Sequence, residues 1–181
     1  MFTEVLENID ANDQEAIFYR AISYLDQGNL QQAISELWRV VSPVNSHAHS
    51  QSLSQRGDSR MIKTDAAAKL PAPKNDQLAQ QAFILLSIAH KRLGEAQNAI
   101  QDLERCIELY PDYPDAYLAR GQNLLLQEDF APALEDFQQF IKLKNEESFT
   151  GQLGIGDCLK ALKRYREAID AYSHAIKLLD T

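Results

Sequence analysis

Few residues in this chain have the types and spacing that chemistry requires, and the most suggestive are two histidines. His47 and His49 form a His-x-His pair. A protein metal site needs three or four ligands, and no Cys, Asp or Glu lies within ten residues before the pair or seven after it. We therefore interpret the pair as solvated loop histidines and expect neither a metal nor a cofactor.

Three closely spaced glycines, Gly151, Gly154 and Gly156, loosely resemble a nucleotide-binding loop. Such a loop follows a strand, and none is predicted here, so helix packing is the better interpretation. The remaining serines, cysteines and histidines form no nucleophile-elbow or zinc-protease signature. The sequence therefore predicts no catalytic residue, and the protein is not expected to be an enzyme.

Charge and composition exclude several classes of partner. The 181 residues carry a net charge of −8, which repels phosphate backbones and anionic membranes, so we expect no nucleic acid and no membrane insertion. The longest apolar run, Ala82 to Leu86, is far shorter than the roughly 20 residues of a membrane span. Met1–Glu4 do not resemble the start of a secretory signal, and Cys106 and Cys158 suggest no disulfide framework, so a cytoplasmic location is expected.

The organising pattern of the chain is a repeat of 34 or 35 residues around an Ala-aliphatic pair. The alanine of the pair is Ala33, Ala99, Ala133 or Ala168; the last three are spaced by 34 and 35 residues, and the first two by 66, one period plus 32. Twelve residues before each alanine stands a small residue: Ala21, Ser87, Gly121 and Gly156. Four residues after it stands a large one: Leu37, Leu103, Phe137 and Tyr172. A fixed register of small and large residues with this period predicts stacked helical hairpins.

These segments resemble tetratricopeptide repeats over 14–43, 80–113, 114–147 and 149–181. Gly94, Pro111, Tyr117, Gly121 and Ala133 fall where that family places its small, aromatic and proline residues. The departures are Glu128 and Lys163 where a turn glycine is common, and Gln152 where a large apolar residue is common. The resemblance implies an all-α fold, a right-handed α-solenoid of about four helix-turn-helix repeats with a long insertion after the first.

The expected domain organisation follows the repeat. It comprises a short N-terminal amphipathic segment (1–12), a first repeat (13–44), a flexible insertion (45–75), and further repeats at 76–113, 114–147 and 148–181. The part of the insertion at 45–58 has one large apolar residue, Leu53, and is predicted to be disordered. The acidic pairs Asp102/Glu104 and Glu135/Asp136 are expected on solvated outer faces, and His90 is expected in the core or at the surface.

The resemblance also implies a function, that of a protein-interaction module, adaptor or scaffold that binds a helix or peptide of a partner in its concave groove. The residues expected to line the groove are Phe18, Ile22, Leu25, Ile84, Ile88, Lys91, Leu118, Gln122, Leu125 and Leu153. A partner helix, the chain's own residues 1–11, or simple core packing could cover them. The alternative function is a structural subunit of a larger complex or homo-oligomer, with its apolar surfaces permanently covered.

One subclass of the family can be tested on residues. Co-chaperone members grip the acidic C-terminal tails of Hsp70 and Hsp90 with Lys, Arg and Asn side chains. The matching positions hold none of these residues in either possible frame: Phe18, Ile22, Leu85, Asp115 and Ala119, or Ile84, Ile88, Ala119, Thr150 and Gly154. Binding to Hsp70 or Hsp90 tails is therefore not expected.

Overall fold

The computed structural model describes residues 13–42, 75–144 and 148–179, and within these ranges the regular secondary structure is entirely helical. The helices are α1 (Gln14–Asp26), α2 (Leu30–Val41), α3 (Asp76–Arg92), α4 (Ala96–Leu109), α5 (Pro114–Leu126), α6 (Phe130–Lys144), α7 (Phe149–Ala161) and α8 (Tyr165–Lys177). The predicted all-α class is confirmed. The predictions for residues 1–11 and 45–58 lie outside the described residues.

The chain divides into two compact units, a first unit of Met1–Ala82 and a second unit of Phe83–Thr181. In the first unit, α1 and α2 pack against each other as a hairpin. The second unit contains the end of α3 together with α4 to α8, and within it each helix from α4 onward packs against the next. Among the described residues, no helix combines the length and apolar character that crossing a membrane requires.

The same tight turn joins the two helices of every hairpin, because one residue in each turn adopts a left-handed backbone conformation. Gly28 and Gly94 have φ values of 78° and 79°, and Glu128 and Lys163 have nearly the same values, 62° and 61°. In each case the next amide closes the turn, as where Asp129 donates to the Leu124 carbonyl at 3.0 Å. Glycine adopts this conformation at no steric cost, whereas a side chain raises its energy by about 1 kcal/mol. The non-glycine turns are therefore strained but keep the shape of the repeat.

The register of small and large residues predicted by the repeat is the register of the core. Ala33, Ala99 and Ala133 are fully buried, and Ala168 is 2% exposed. A Cβ atom built on Gly121 would lie 3.3 Å from the ring of Phe137 on the opposite helix of its hairpin. The small position is thus required because the two helices of a hairpin approach each other closely there.

The three glycines of α7 are packing residues, which confirms that interpretation over the nucleotide loop. All three are buried inside the helix. A Cβ on Gly151 would lie 2.7 Å from Ile141 Cγ1, and one on Gly154 would lie 2.6 Å from Phe137 Cε1. Both neighbours belong to α6, so these two glycines let α7 pack closely on the preceding hairpin.

Candidate partner-binding surface

In the first unit, α1 carries three of the residues expected to line the groove. Phe18 and Leu25 are each 5% exposed, and Ile22 is partly exposed. The rings of Phe18 and Tyr19 meet edge to face, with centroids 5.8 Å apart. In this conformation Phe18 and Leu25 are core residues, and α1 offers little apolar surface at the expected positions.

In the second unit the expected residues divide into exposed and half-buried sets. Ile88 and Leu153 are 37% and 38% exposed, and Lys91 and Gln122 are also exposed. The half-buried residues are Ile84, Leu118 and Leu125. Leu118 and Leu125 pack against the core shared by α6, α7 and α8, so only their outer edges are accessible. The accessible part of this surface is therefore apolar at Ile88 and Leu153 and polar at Lys91 and Gln122.

Leu126 is an exposed apolar residue that the sequence reasoning missed. It is the last residue of α5 and is 66% exposed. The corresponding positions of the other repeats are Asp26, Arg92 and Ala161, so the repeat pattern gives no reason to expect an apolar side chain there. The one available signal is the run of three leucines that ends α5, because only Leu124 and Leu125 of this run pack against the core cluster.

Polar contacts join the two helices of each hairpin, and the strongest is in α5–α6. Arg120 donates two hydrogen bonds to Asp136, at 2.8 and 2.7 Å. Asp136 is only 3% exposed, and its hydrogen bonds to Arg120 raise the pKa of the guanidinium. The expectation that Asp136 lies on a solvated face is wrong, because its position three residues after the motif alanine faces the first helix of the hairpin.

The same position in the preceding hairpin holds Asp102, which is 4% exposed and lies 2.6 Å from His90 Nδ1. Burial raises the pKa of Asp102, and the hydrogen bond and charge of His90 partly oppose that shift. The solvated placement expected for Asp102 is therefore also wrong, although Glu104 and Glu135 are exposed as expected. His90, 8% exposed, belongs to the core of its hairpin.

Equivalent contacts tie the other two hairpins. Arg20 reaches Glu36 at 2.7 Å in α1–α2, and Tyr172 donates to Asp157 at 2.7 Å in α7–α8. Each acid lies opposite a donor from the other helix of its own hairpin. These groups are engaged in holding helices together, which accounts for them without a catalytic role.

The two thiols are also structural. Burial raises the pKa of Cys106 to about 12 and that of Cys158 to about 11, so both remain protonated near neutral pH and are poor nucleophiles. Within residues 13–42, 75–144 and 148–179, no three His, Cys, Asp or Glu side chains are placed to hold a metal ion.

Comparison with known proteins agrees with this description. Two models of the tetratricopeptide repeat family match the chain, over residues 118–180 and residues 80–113, together just over half of it. Rat DnaJ homolog subfamily C member 3 is 37% identical over 97 residues, 49% of this chain and 19% of the relative. Human tetratricopeptide repeat protein 13 is 35% identical over 86 residues, 47% of this chain and 10% of the relative. The chain thus spans no more than a fifth of these relatives.

Solved structures resemble almost the whole chain. Two crystal structures of MamA, each 20% identical, cover 97% of this chain with TM-scores of 0.65 and 0.67. The alignments take in 78% and 83% of those chains. At this level of identity the likeness concerns the fold.

Proposed function

Because the chain belongs to the tetratricopeptide repeat family, we propose that it is a protein-interaction module that binds an amphipathic helix or peptide of a partner. The proposed surface lies in the second unit, on the first helices of its hairpins. Its residues are Ile84, Ile88 and Lys91 on α3, Leu118, Gln122 and Leu125 on α5, and Leu153 on α7. Leu126 is added to this set because of its exposure.

The observation that carries the proposal is the exposure of large apolar side chains at successive first helices. Ile88, Leu126 and Leu153 are 37%, 66% and 38% exposed, although each helix also supplies a fully formed core face. Exposed apolar residues grouped on successive elements are typical of interaction surfaces. Because Lys91 and Gln122 lie among them, a ligand with one apolar face and polar edges fits better than a wholly apolar one.

The test compares a double variant of the proposed surface with a single control variant at a residue of nearly the same exposure. The wild-type protein is first used as bait to purify its partner from an extract of the native source. The double variant Ile88→Glu/Leu153→Glu should fail to capture that partner. Leu109→Glu is the matched control, because Leu109 is also 37% exposed but lies at the end of α4, a second helix. All variants should keep the helical circular dichroism of the wild type. Equal capture by the double variant and the control would refute this surface.

A second candidate function, a structural subunit of a larger assembly, is supported by a different observation. Ile169 and Ile176 on α8 are 63% and 60% exposed, the kind of surface that an assembly covers. Size-exclusion chromatography with light scattering separates the two functions. A monomer supports the interaction module, and a concentration-independent oligomer supports the subunit.

The absence of Hsp70 and Hsp90 tail binding remains part of the proposal. The five positions of either frame hold no basic or amide side chain, and Gly154 is buried against α6. We expect calorimetry with an acidic C-terminal tail peptide to show no affinity better than about 50 μM, which corresponds to about −6 kcal/mol. Tighter binding would contradict the proposal.

A further inference from the structure

Helix α8 carries an apolar stripe that no described residue covers. We define the trailing face as Tyr165, Ile169, Tyr172 and Ile176, spaced by four, three and four residues along one side of the helix. Tyr165, Ile169 and Ile176 are 59%, 63% and 60% exposed, and Tyr172 is partly exposed. The side of α8 about a quarter of a turn away, with Ala168, Ala171 and Ala175, is buried.

The preceding repeat shows what covers a face of this kind. The residues of α6 that correspond to Ile169, Tyr172 and Ile176 are Leu134, Phe137 and Ile141, each 35 positions earlier. Leu134 and Phe137 are only 6% and 1% exposed, and both share a core cluster with Cys158 and Leu159 of α7. The covering element is therefore a helix.

Size complementarity specifies one side of that helix. Two glycines pack against the ring of Phe137. A Cβ built on Gly121, in the same hairpin, would lie 3.3 Å from the ring, and one built on Gly154, in the next hairpin, would lie 2.6 Å from it. Tyr172 has the equivalent contact within its hairpin, since a Cβ on Gly156 would lie 2.5 Å from its ring, but the second contact is missing among the described residues. A helix that docks here thus needs a small residue opposite Tyr172 and another one turn away, opposite Ile176.

The same size criterion argues against α1 of a second copy of this chain as the helix that covers the trailing face. The residue of α1 that corresponds to Gly154 is Tyr19, fourteen positions before the motif alanine, and it is 62% exposed. Stacking a second copy through α1 would place Tyr19 against Tyr172, where packing like that of Gly154 on Phe137 leaves room for no more than a hydrogen atom. Overpacking of this kind opposes association.

Charge specifies the edges of the occupant. Arg166 and Lys177 are exposed and eleven residues apart, three helical turns, so they lie on the same flank of the trailing face with one acid, Asp170, between them. On the other side, the Lys160 ammonium lies 5.9 Å from the centroid of the Tyr172 ring. Lys160 also pairs with Asp157 at 3.5 Å, so the net positive charge of the rim comes from the flank of Arg166 and Lys177, although the whole chain has a charge of −8. Acidic residues at the edges of a ligand complement it.

We propose that the trailing face binds an amphipathic helix of another protein that has two small residues three positions apart on its apolar side and acidic residues at its edges. This surface is separate from the one proposed for the interaction module, and either can be correct without the other. It is the α8 surface that the structural-subunit candidate also uses, and here its occupant is specified. It is a helix-docking site in which the partner supplies the contact that α7 supplies to α6.

The probe is a synthetic peptide with the sequence of residues 148–162, acetylated and amidated, in which Lys160 is replaced by Glu. It carries the two glycines that pack on α6 and a net charge of −2. Fluorescence anisotropy with the full chain should show saturable binding. A peptide with Gly154→Leu should bind at least about tenfold more weakly, and the parent peptide, with net charge zero, should bind more weakly at low salt.

Variants of the protein locate the site. Ile176→Glu should abolish peptide binding, and Tyr19→Glu, a substitution of an equally exposed residue on α1, should leave it unchanged. Ile169→Ser provides a second reading if Ile176→Glu loses its helical circular dichroism. Absence of saturable binding, binding that survives in folded Ile176→Glu or Ile169→Ser, or equal binding of the Gly154→Leu peptide would each overturn the proposal. Self-association of the chain that Ile176→Glu abolishes would also overturn it, because the occupant would then be a second copy.

Discussion

The hairpins α5–α6 and α7–α8 have the same design but differ in how completely they are enclosed. Phe137 in the first is 1% exposed, contacted by glycines of both α5 and α7, whereas Tyr172 in the second is partly exposed and is contacted by Gly156 alone among the glycines. Their polar contacts differ in the same way. The carboxylate of Asp136 is 5% exposed, and that of Asp157 is 38% exposed.

This difference shows that one hairpin covers one side of its large core residue and that the next hairpin covers the other side. The neighbouring hairpin completes the packing around Phe137 through Gly154 of α7. Substitutions in the two hairpins should therefore have different effects on stability.

The largest difference is expected for the polar contacts. Arg120→Met leaves Asp136 buried without its partner and should lower the free energy of unfolding by about 3 kcal/mol. Tyr172→Phe removes one hydrogen bond to a carboxylate that water can reach, at a cost of about 1 kcal/mol or less. Chemical denaturation measures both. Adding Asp136→Asn to Arg120→Met should recover part of the loss, and similar effects of the two single substitutions would contradict the burial argument.

A smaller effect is expected from overpacking the fully enclosed hairpin. Ala133 is fully buried, so Ala133→Leu should cost about 1–3 kcal/mol. Ala131, two residues earlier on α6, is exposed, and Ala131→Leu should be nearly neutral. Thermal denaturation of the two variants provides the comparison, and equal midpoints would mean that the repeat register is wrong.

Adding a single methyl group to Gly154 or to Gly156 of α7 tests the role of the neighbour directly. The Cβ distances are similar, 2.6 Å from Phe137 for Gly154 and 2.5 Å from Tyr172 for Gly156. The ring of Tyr172 can move outward because it is partly exposed, whereas that of Phe137 cannot. Gly154→Ala should therefore cost about 1–2 kcal/mol, and Gly156→Ala clearly less, since alanine also favours the helix. If the denaturation midpoint fell further for Gly156→Ala than for Gly154→Ala, this reasoning would be contradicted.

The smallest effect is expected at the turns, where the two hairpins are alike. Glu128→Gly and Lys163→Gly each remove the strain of a residue with a side chain in the left-handed backbone conformation, and each should stabilise the protein by up to about 1 kcal/mol. Because neither residue is buried, the two gains should be equal and additive, as measured by the thermal midpoint of the single and double variants. Unequal gains would show that enclosure affects the turns as well.

The sequence by itself determined the repeat. The period, the buried alanines and the glycines at close approaches follow from distances along one helix and across one tight turn, which sequence spacing reports directly. It also indicated that Gly156 is a packing residue, because its position in the repeat requires a small side chain whatever surrounds the hairpin.

Only the tertiary structure decided which positions are enclosed. Ile169 and Leu134 occupy the same repeat position, yet one is 63% exposed and the other 6%, because α7 packs on α6. Asp102 and Asp136 look like surface acids until a donor from the facing helix meets them. Sequence spacing states which side of a helix a residue occupies, but burial depends on whether another helix lies on that side.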